Sequence, residues 1–439
     1  MRSRRRPFAW LLRKEWSELT SSRAWWALLA LTGPLVGVSF ISAVNTYAEI
    51  SAGAGAGCDF VCNPLDGIWA ATFSAYEIAA IFLLPFVAIR VVGGDRQSGA
   101  FALEVQRTIS PFTRISAKAL VLLAGWALTG GAAVLALVLW LAYGGNAYAP
   151  EILVAATGHL LNAGITIALA AAAASVTDHP STAAIATLAV TVGLWMIDFA
   201  SAIQGGIWTT MAAFTPTALV ASFQHGLVQA NIVLIAMTAI AAGLGIAALW
   251  MRPSVPVGRR GRDAALWLTG ALAIGLACTA VRGSWDASES RRNSFPESDQ
   301  EALAAIRTPL EIEVHLAPGD GRRQQFDAQP LAKLKRTMPH VRVVYVSRSS
   351  TGLYESADPG YGEIWYELGG RRVMSHQVTD EAVLETVMGL AGLTMGSEAE
   401  DEFHGHPLAA HPTGAAVLFY GVWPVVLAGL GIFVLRKNR

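Results

Sequence analysis

The sequence predicts a polytopic α-helical membrane protein of about eight transmembrane helices, with an α/β extracytoplasmic domain inserted before the last one. Two observations lead to this fold class. Hydrophobic residues make up 53% of the 439 residues and charged residues only 15%, which is unlike a soluble protein of this length. The chain also contains eight apolar runs near the ~20 residues that cross a bilayer. The predicted spans are Ala24–Tyr47, Gly67–Ile89, Ala119–Tyr143, Ile152–Val176, Ser181–Ile203, Ala230–Met251, Ala264–Val281 and Thr413–Leu435.

Basic residues fall on one side of these spans. Lys and Arg cluster in segments 1–23, 90–118, 252–262 and 436–439, whereas the short loops on the other side contain neither residue. The positive-inside rule therefore predicts that both termini are cytoplasmic and that residues 283–412 are extracytoplasmic. We expect a multi-pass protein of the bacterial inner membrane, in contact with the lipid bilayer and not with nucleic acid.

Residues 1–23 precede the first span and are predicted to form an amphipathic helix. Apolar residues recur there at helical spacing, which favours a helix lying on the cytoplasmic leaflet with its basic residues at the lipid headgroups. The predicted apolar stripe is Phe8, Leu11, Leu12, Trp16 and Leu19, and the residues off it are Arg13, Lys14, Glu15 and Glu18.

The predicted spans divide the rest of the chain into five regions. We predict a six-helix core at 24–251, a seventh span at 264–282, an outer domain at 283–397, a linker at 398–412 and an eighth span at 413–435.

The outer domain has its own periodicities. A helix at Pro296–Arg307 is followed by a strand at Glu311–Leu316, a helix at Gln325–Met338 and a strand at Val341–Val346. A hairpin around Gly369-Gly370 and a helix at Thr379–Leu393 complete the order. A βαβ unit followed by a hairpin and a helix is the layout of a thioredoxin-like α/β fold. Because no Cys-x-x-Cys motif accompanies it, a redox role is excluded.

The outer domain is predicted to act by binding. The stretch 282–412 holds 20 acidic and 13 basic residues, so its net negative charge favours a basic partner outside the membrane.

The first outer loop contains two of the three cysteines. Cys58 and Cys62 lie four residues apart in a compartment that permits disulfides, so we predict that they are bonded, with two free thiols as the alternative. Cys278 is interpreted as a packing residue inside a span.

Three ionisable residues lie at membrane depth, where such groups are costly and often functional. Glu77 and His159 either line a substrate path or form a structural polar contact with each other, and both alternatives stay open here. Asp198 lies near the outer end of its span and is interpreted as reaching interfacial water.

Histidines and carboxylates crowd the approach to the last span. His-x-His beside acidic residues is able to ligate a transition metal, but the segment also carries the Gly, Pro and Ala of a linker. We interpret it as a linker and predict no metal site. The residues concerned are Asp401, Glu402, His404, His406 and His411.

Recognisable catalytic motifs do not occur in the sequence. Gly-x-x-x-x-Gly-Lys-Ser/Thr, Gly-x-Ser-x-Gly and His-Glu-x-x-His are all missing. We therefore expect that the chain is not an enzyme and has no nucleotide site of its own.

Four stretches resemble the permease subunits of type-2 ABC exporters. Leu12-Arg13-Lys14-Glu15-Trp16 resembles the Lys-Glu elbow helix of that family, and 94–104 resembles its acidic coupling loop. The other two stretches are Ser110-Pro111-Phe112-Thr113-Arg114-Ile115 with Lys118, and Phe214–Val228 between the fifth and sixth spans. The region 283–397 resembles the auxiliary component of gliding-motility-type ABC systems, through 286–294 and the strand Pro309-Leu310-Glu311-Ile312-Glu313-Val314.

The resemblance implies a transmembrane subunit of an ATP-driven exporter or mechanotransmitter. It implies two copies of a separate ABC ATPase that bind ATP and Mg²⁺, a second permease copy as homodimer or heterodimer, and an extracytoplasmic protein partner. The residues implied to contact the ATPase are Asp95, Arg96, Gln97, Ser98, Gly99 and Glu104. The alternatives are an ion-driven secondary transporter and a membrane receptor or scaffold that does not transport.

Overall fold

The computed structural model describes residues 5–54, 62–97, 106, 109–204, 207–253, 255–317, 319–346, 360–396 and 405–437. The chain forms two compact units. One comprises Met1–Trp195, Pro216–Val281 and His404–Arg439, and the other Met196–Thr215 and Arg282–Phe403.

Helices dominate the chain up to Cys278. In order they are α1 (Arg5–Thr20), α2 (Arg23–Ala54), a π-helical turn (Leu65–Ala70), α3 (Ala71–Phe82), α4 (Leu84–Gln97), α5 (Pro111–Ala127), a 3-10 turn (Leu128–Gly130), α6 (Gly131–Ala142), α7 (Ala149–Val176), α8 (Pro180–Gln204), α9 (Ile207–Ala212), α10 (Pro216–Gln224), strand β1 (Leu227–Gln229), α11 (Ala230–Trp250) and α12 (Val257–Cys278).

Strands and shorter helices follow. They are β2 (Ser284–Asp286), α13 (Glu297–Ala305), β3 (Leu310–Val314), α14 (Gly321–Ala328), α15 (Pro330–Thr337), β4 (Val341–Tyr345), β5 (Ile364–Leu368), β6 (Arg371–Ser375), α16 (Asp380–Ala391), a π-helical turn (Val417–Val422) and α17 (Trp423–Lys437).

Seven helical segments among the described residues are long and apolar enough to cross a membrane, so the chain is a polytopic helical membrane protein. Several join consecutive helices into one span. The segments are Arg23–Gly53, Leu65–Asp95, Pro111–Ala142, Ala149–Val176, Pro180–Ser201, Ala230–Trp250 and Val417–Lys437.

The predicted span Ala264–Val281 is not among these seven. It forms most of α12, but that helix begins with Arg259, Arg260 and Arg262 and ends at Cys278. Because these charges lie in its first two turns, composition alone does not identify the helix as a span, and the eighth span stays a prediction. The helix packs on α11, where the Trp267 indole N–H donates to the Ala242 carbonyl at 3.3 Å.

The last span packs against the first through aromatic rings and glycines. The Trp423 ring covers Gly33, and an added Cβ at Gly37 would lie 2.5 Å from the Phe419 Cβ. The Trp423 indole N–H also donates to the Leu29 carbonyl at 2.9 Å. Glycine allows this close approach because it has no side chain. The last span is thus part of the bundle.

Helix α1 packs on α5 through part of the predicted stripe together with one residue that was placed off it. Leu11, Glu15 and Leu19 are the buried positions, whereas Trp16 is exposed. Residues four apart share a helix face, so the apolar residues at 11 and 19 carry Glu15 inward with them. The placement of Glu15 on the polar face was wrong.

The second unit contains a four-stranded mixed sheet in the order β4-β3-β5-β6. Strands β3 and β4 are parallel, and β5 pairs antiparallel with both β3 and β6. This order agrees with the predicted βαβ unit followed by a hairpin. Gly369 and Gly370 have positive φ values of 60° and 80° and make the two-residue turn.

One face of the sheet packs on helices. Leu310, Ile312 and Val314 alternate into this core with Tyr366 from β5, while Glu311 and Glu313 point to the other face. The helix predicted at Gln325–Met338 is instead two helices, because Pro330 has no N–H to continue α14 and begins α15.

We expect that Gly37→Ala lowers the stability of the bundle by about 1–3 kcal/mol, because the added methyl overlaps Phe419. Unfolding of the purified protein in detergent micelles measures this change. Gly429→Ala is the matched control, since nothing lies within 4 Å of an added Cβ there. Equal stability of both variants would contradict the described packing of the last span.

Candidate functional site

Three helices meet at a buried cluster of charged side chains. The Lys118 ammonium of α5 lies 2.7 Å from a Glu15 carboxylate oxygen of α1 and 2.6 Å from an Asp95 carboxylate oxygen of α4. All three residues are buried, with at most 5% of each exposed. The charges therefore hold together three helix segments that are far apart in sequence.

Lys118 has every one of its hydrogen-bond donors used. Its ammonium donates to Glu15, to Asp95 and to the Val91 carbonyl at 3.2 Å. A buried ammonium carries three donors, and leaving one unpaired would cost free energy. The three acceptors come from α1 and α4, so the ion pair fixes both helices relative to α5.

A second lysine, Lys14, lies among three carboxylates at the edge of this cluster. The Lys14 ammonium lies 3.2 Å from Asp95, 3.4 Å from Glu15 and 3.1 Å from Glu18. The three carboxylates are close enough together to ligate a metal ion. Lys14 and Lys118 together offset two of the three negative charges, so two cations of the chain already occupy this group of carboxylates.

Local packing explains why α1 reaches this position. The Leu19 side chain lies over Gly125 of α5, where an added Cβ would come within 2.5 Å of it. The Trp25 indole N–H donates to the Gly125 carbonyl at 3.3 Å. Gly125 and Lys118 are two helical turns apart on the inward face of α5, so Leu19 and Glu15 of α1 both contact this face.

Burial raises the pKa of the Glu15 carboxyl above its ordinary value, although Lys118 and Lys14 favour its ionised form. Removal of Lys118 would therefore raise this pKa further.

The predicted ATPase-contact residues divide into two groups. Asp95 is buried and pairs with Lys118 and Lys14, so its carboxylate is engaged inside the chain and not presented outward as expected. Arg96 and Gln97 end α4, but their side chains lie outside the described part. Ser98, Gly99 and Glu104 lie outside the described residues altogether.

Helix α5 has a favourable N-terminus. The Ser110 hydroxyl oxygen accepts from the Thr113 N–H at 3.1 Å, and Pro111 occupies the first helical turn. Ser and Pro at these positions are favourable for a helix start. The segment 98–110 thus lies between two helix ends that are joined by the Asp95–Lys118 ion pair.

Glu77 and His159 lie in one polar network but do not bond directly. The Gln224 amide N–H₂ of α10 donates to Glu77 at 3.0 Å and lies 3.3 Å from the His159 Nε2. The Phe73 ring stacks on the His159 ring at 5.3 Å. Of the two alternatives, this arrangement favours the structural polar contact, with Gln224 as the bridge.

Two further contacts hold α10 against the bundle. The Phe223 side chain packs over Gly158, which precedes His159 on α7. The His225 ring lies 3.0 Å from the Asp66 carboxylate. Asp198 is half-buried on α8 and takes no part in these contacts among the described residues.

Cys62 is buried and disulfide-bonded. Cys58 lies outside the described residues, so the predicted pairing stays a prediction, and Cys278 is a free thiol.

The end of the predicted linker is docked on the first unit. The His406 N–H donates to the Cys62 carbonyl at 2.8 Å, and the Tyr47 hydroxyl donates to the His406 carbonyl at 2.8 Å. The His406 ring contacts the Asn146 amide at 2.7 Å. The linker is therefore a bonded strap from 405 to 412. Asp401, Glu402 and His404 lie outside the described residues.

Of the residues in these two clusters, the sequence singled out Asp95, Glu77 and His159 as site residues but not Glu15, Lys118 or Gln224. Lys14 and Glu15, Asp95, and Lys118 belong to three separate stretches that resemble the permease family, and Gln224 belongs to the fourth. The signal available for Lys118 was a single charge at the start of an apolar helix. Only the fold shows that these charges meet.

No family model, curated protein or solved structure matches this chain.

We expect that Lys118→Met destabilises the protein by about 3–5 kcal/mol, because it leaves two buried carboxylates without their shared cation. Unfolding in detergent measures the loss. Arg13→Met on the exposed side of α1 is the matched control and should change stability by less than about 0.5 kcal/mol.

Neutralising the whole cluster tests the same interaction. The triple variant Glu15→Gln, Asp95→Asn, Lys118→Met should recover most of the lost stability, since no unpaired charge remains buried. A triple variant as unstable as Lys118→Met alone would show that the ion pairs are not the cause.

We expect that Gln224→Leu loosens α10 by about 1–3 kcal/mol, because Glu77 and His159 lose a buried donor. Hydrogen exchange of the α10 amides should accelerate accordingly. Thr157→Ala, which removes an exposed hydroxyl on α7, should leave this exchange unchanged.

Proposed function

We propose that this protein is the transmembrane permease subunit of an ATP-driven exporter or mechanotransmitter of the type-2 ABC class. One observation carries the proposal. The three cytoplasmic stretches that resemble this family, at 12–16, 94–104 and 110–118, each contribute a charged side chain to the Glu15–Asp95–Lys118 cluster. Stretches chosen by sequence resemblance alone thus meet in one buried contact.

The cluster suits the transmission of movement. Segment 98–110 connects the ends of α4 and α5, and those ends are tied to α1 by ion pairs that use every Lys118 donor. A partner that pushes on this segment would move the three helices as one body, because separating them exposes buried charges. In this proposal two copies of a separate ATPase subunit bind ATP and Mg²⁺ and supply the push.

The outer end of the bundle would receive the movement. Helix α3 carries Glu77 and continues into α4, which carries Asp95, so the cytoplasmic cluster and the Gln224 network lie at two levels of one span. Release of Gln224 would allow α10 to move. A second permease copy, the same or a homologous chain, would complete the pathway.

The proposal places the protein in the bacterial inner membrane. The distribution of Lys and Arg supports cytoplasmic termini and an extracytoplasmic position for residues 283–412. The outer domain, interpreted as thioredoxin-like from its strand order, binds a protein partner in this proposal. The strap at 405–412, which follows this domain in the chain, bonds to Tyr47 of α2 and to Cys62.

The test is copurification. Affinity-tagged protein isolated from its host membrane should bring with it an ATPase subunit that hydrolyses ATP without added substrate. Arg96→Glu with Glu104→Lys should reduce the amount of ATPase bound, since both charges change sign at the proposed contact. Preparations free of any ATPase would contradict the proposal.

A second variant distinguishes binding of the ATPase from transmission of its movement to α10. The neutral triple variant Glu15→Gln, Asp95→Asn, Lys118→Met should still bind the ATPase. ATP with Mg²⁺ should change hydrogen exchange at α10 in the wild-type complex and not in this variant. An ATP response that survives in the variant would mean that the cluster does not transmit the movement.

A further inference from the structure

The four-stranded sheet of the second unit ends in a strand with an open edge. β6 pairs with β5 on one side, from Leu368↔Arg371 to Ile364↔Ser375, without interruption. Arg371, Arg372, Val373 and Met374 are all exposed. It contains no proline, and its pairing with β5 shows no bulge, which are two of the devices that keep an edge from accepting another strand. Its arginines oppose pairing with a basic strand and leave an acidic one as the suitable partner.

The hairpin turn determines which backbone groups point outward. In a two-residue hairpin the residues that flank the turn form a hydrogen-bonded pair, and the pairs alternate from there. Arg371, Val373 and Ser375 therefore bond to β5, while the N–H and C=O groups of Arg372 and Met374 point away from the sheet. These outward groups have no hydrogen-bond partner among the residues that the structure describes.

The opposite edge is different. The Arg323 guanidinium lies over the Tyr345 ring at 3.9 Å, and the Tyr345 hydroxyl donates to Asp327 at 2.7 Å. Side chains of α14 thus cover the end of β4. Among the described residues, β6 is the less protected edge.

The two arginines of β6 determine which kind of strand would pair with this edge. Arg372 lies 2.7 Å from Glu313 and stacks on Trp365, so its charge is balanced within the sheet. Arg371 has no acidic partner among the described residues. Residues 371 and 373 would form the closely spaced, non-hydrogen-bonded pairs with an added strand, where cross-strand side chains interact most. The edge therefore presents an unbalanced cation and, two residues on, an exposed valine.

We propose that β6 is a binding site for an extended segment of a partner protein, which adds as an antiparallel fifth strand. The segment carries an acidic residue opposite Arg371 and a β-branched apolar residue opposite Val373. Main-chain hydrogen bonds to Arg372 and Met374 supply the attachment, and the side-chain pairs supply the specificity. This site is basic although the domain as a whole is acidic, and it does not depend on the ATPase-coupled role.

A second copy of this chain fits the edge less well. Antiparallel pairing of two β6 strands would gather four arginines at one seam, and only Arg372 has a carboxylate partner in its own sheet. Repulsion between the remaining charges opposes that arrangement.

The test uses the full-length protein in lipid nanodiscs and a fluorescent peptide of sequence Ser-Thr-Val-Ile-Glu-Glu-Ser. Binding is followed by anisotropy, with the peptide in which both Glu are replaced by Lys as comparison. The wild type should prefer the acidic peptide. Arg371→Glu should weaken its binding about fivefold and favour the Lys peptide, as expected for an interaction of cross-strand charges. Arg342→Glu on β4 is the matched control and should bind like the wild type.

A backbone variant tests the mode of attachment. Met374→Pro removes an N–H that points outward and leaves the bonds to β5 in place, so binding of the peptide should be lost. Hydrogen exchange supplies a second readout. The acidic peptide should slow exchange of the Arg372 and Met374 amides and not of the Val373 amide, which is already bonded to β5.

Three results would overturn the proposal. One is the absence of binding together with unchanged exchange in β6, and another is equal binding of the acidic and basic peptides. The third is self-association of the protein without peptide that Met374→Pro abolishes, which would assign the edge to a second copy of the chain.

Discussion

A charge removed from water must be paired, and at one end of this bundle a single lysine meets that requirement for three helices. Lys118 bonds to carboxylates of α1 and α4 and to a backbone carbonyl, all at a site closed to solvent. An isolated buried charge would cost several kcal/mol, so the helices are held where the charges match. Replacement by apolar residues would satisfy burial equally well but would not specify which helix ends must meet. The position of α1 and the ends of segment 98–110 both follow from this contact.

Hydrogen bonds serve the same purpose elsewhere in the bundle. Gln224 joins α10 to Glu77 and His159, and the strap from 405 to 412 bonds to Tyr47 and Cys62. Hydrogen bonds of this kind each contribute less than the loss of one partner from a buried ion pair would cost. These contacts are therefore weaker than those of the Glu15–Asp95–Lys118 cluster.

The second unit follows the rules of a soluble α/β domain. Its sheet buries one face under helices and leaves the other to water, with salt bridges such as Arg372–Glu313 across the open face. The edges of such an open sheet need protection from further strand pairing. Among the described residues, side chains of α14 contact Tyr345 at the β4 edge, whereas the outward backbone groups of β6 have no hydrogen-bond partner.

The sequence by itself determined the membrane class, most spans and the order of strands and helices in the second unit. These features depend on local hydrophobicity and on turn residues such as Gly369-Gly370, which act over a few residues. It also identified Glu77 and His159 as residues at membrane depth. It missed the break at Pro330, where a single residue was decisive.

Only the tertiary structure decided which polar side chains meet. Glu15 belonged by its chemistry to the water-facing side of α1, yet the leucines at 11 and 19 turn it inward to Lys118, which is distant in sequence. Gln224 lies far from Glu77 along the chain and still bridges it to His159. Periodicity describes one element at a time, whereas ion pairs and hydrogen bonds join elements whose separation in the chain carries no information about their distance in space.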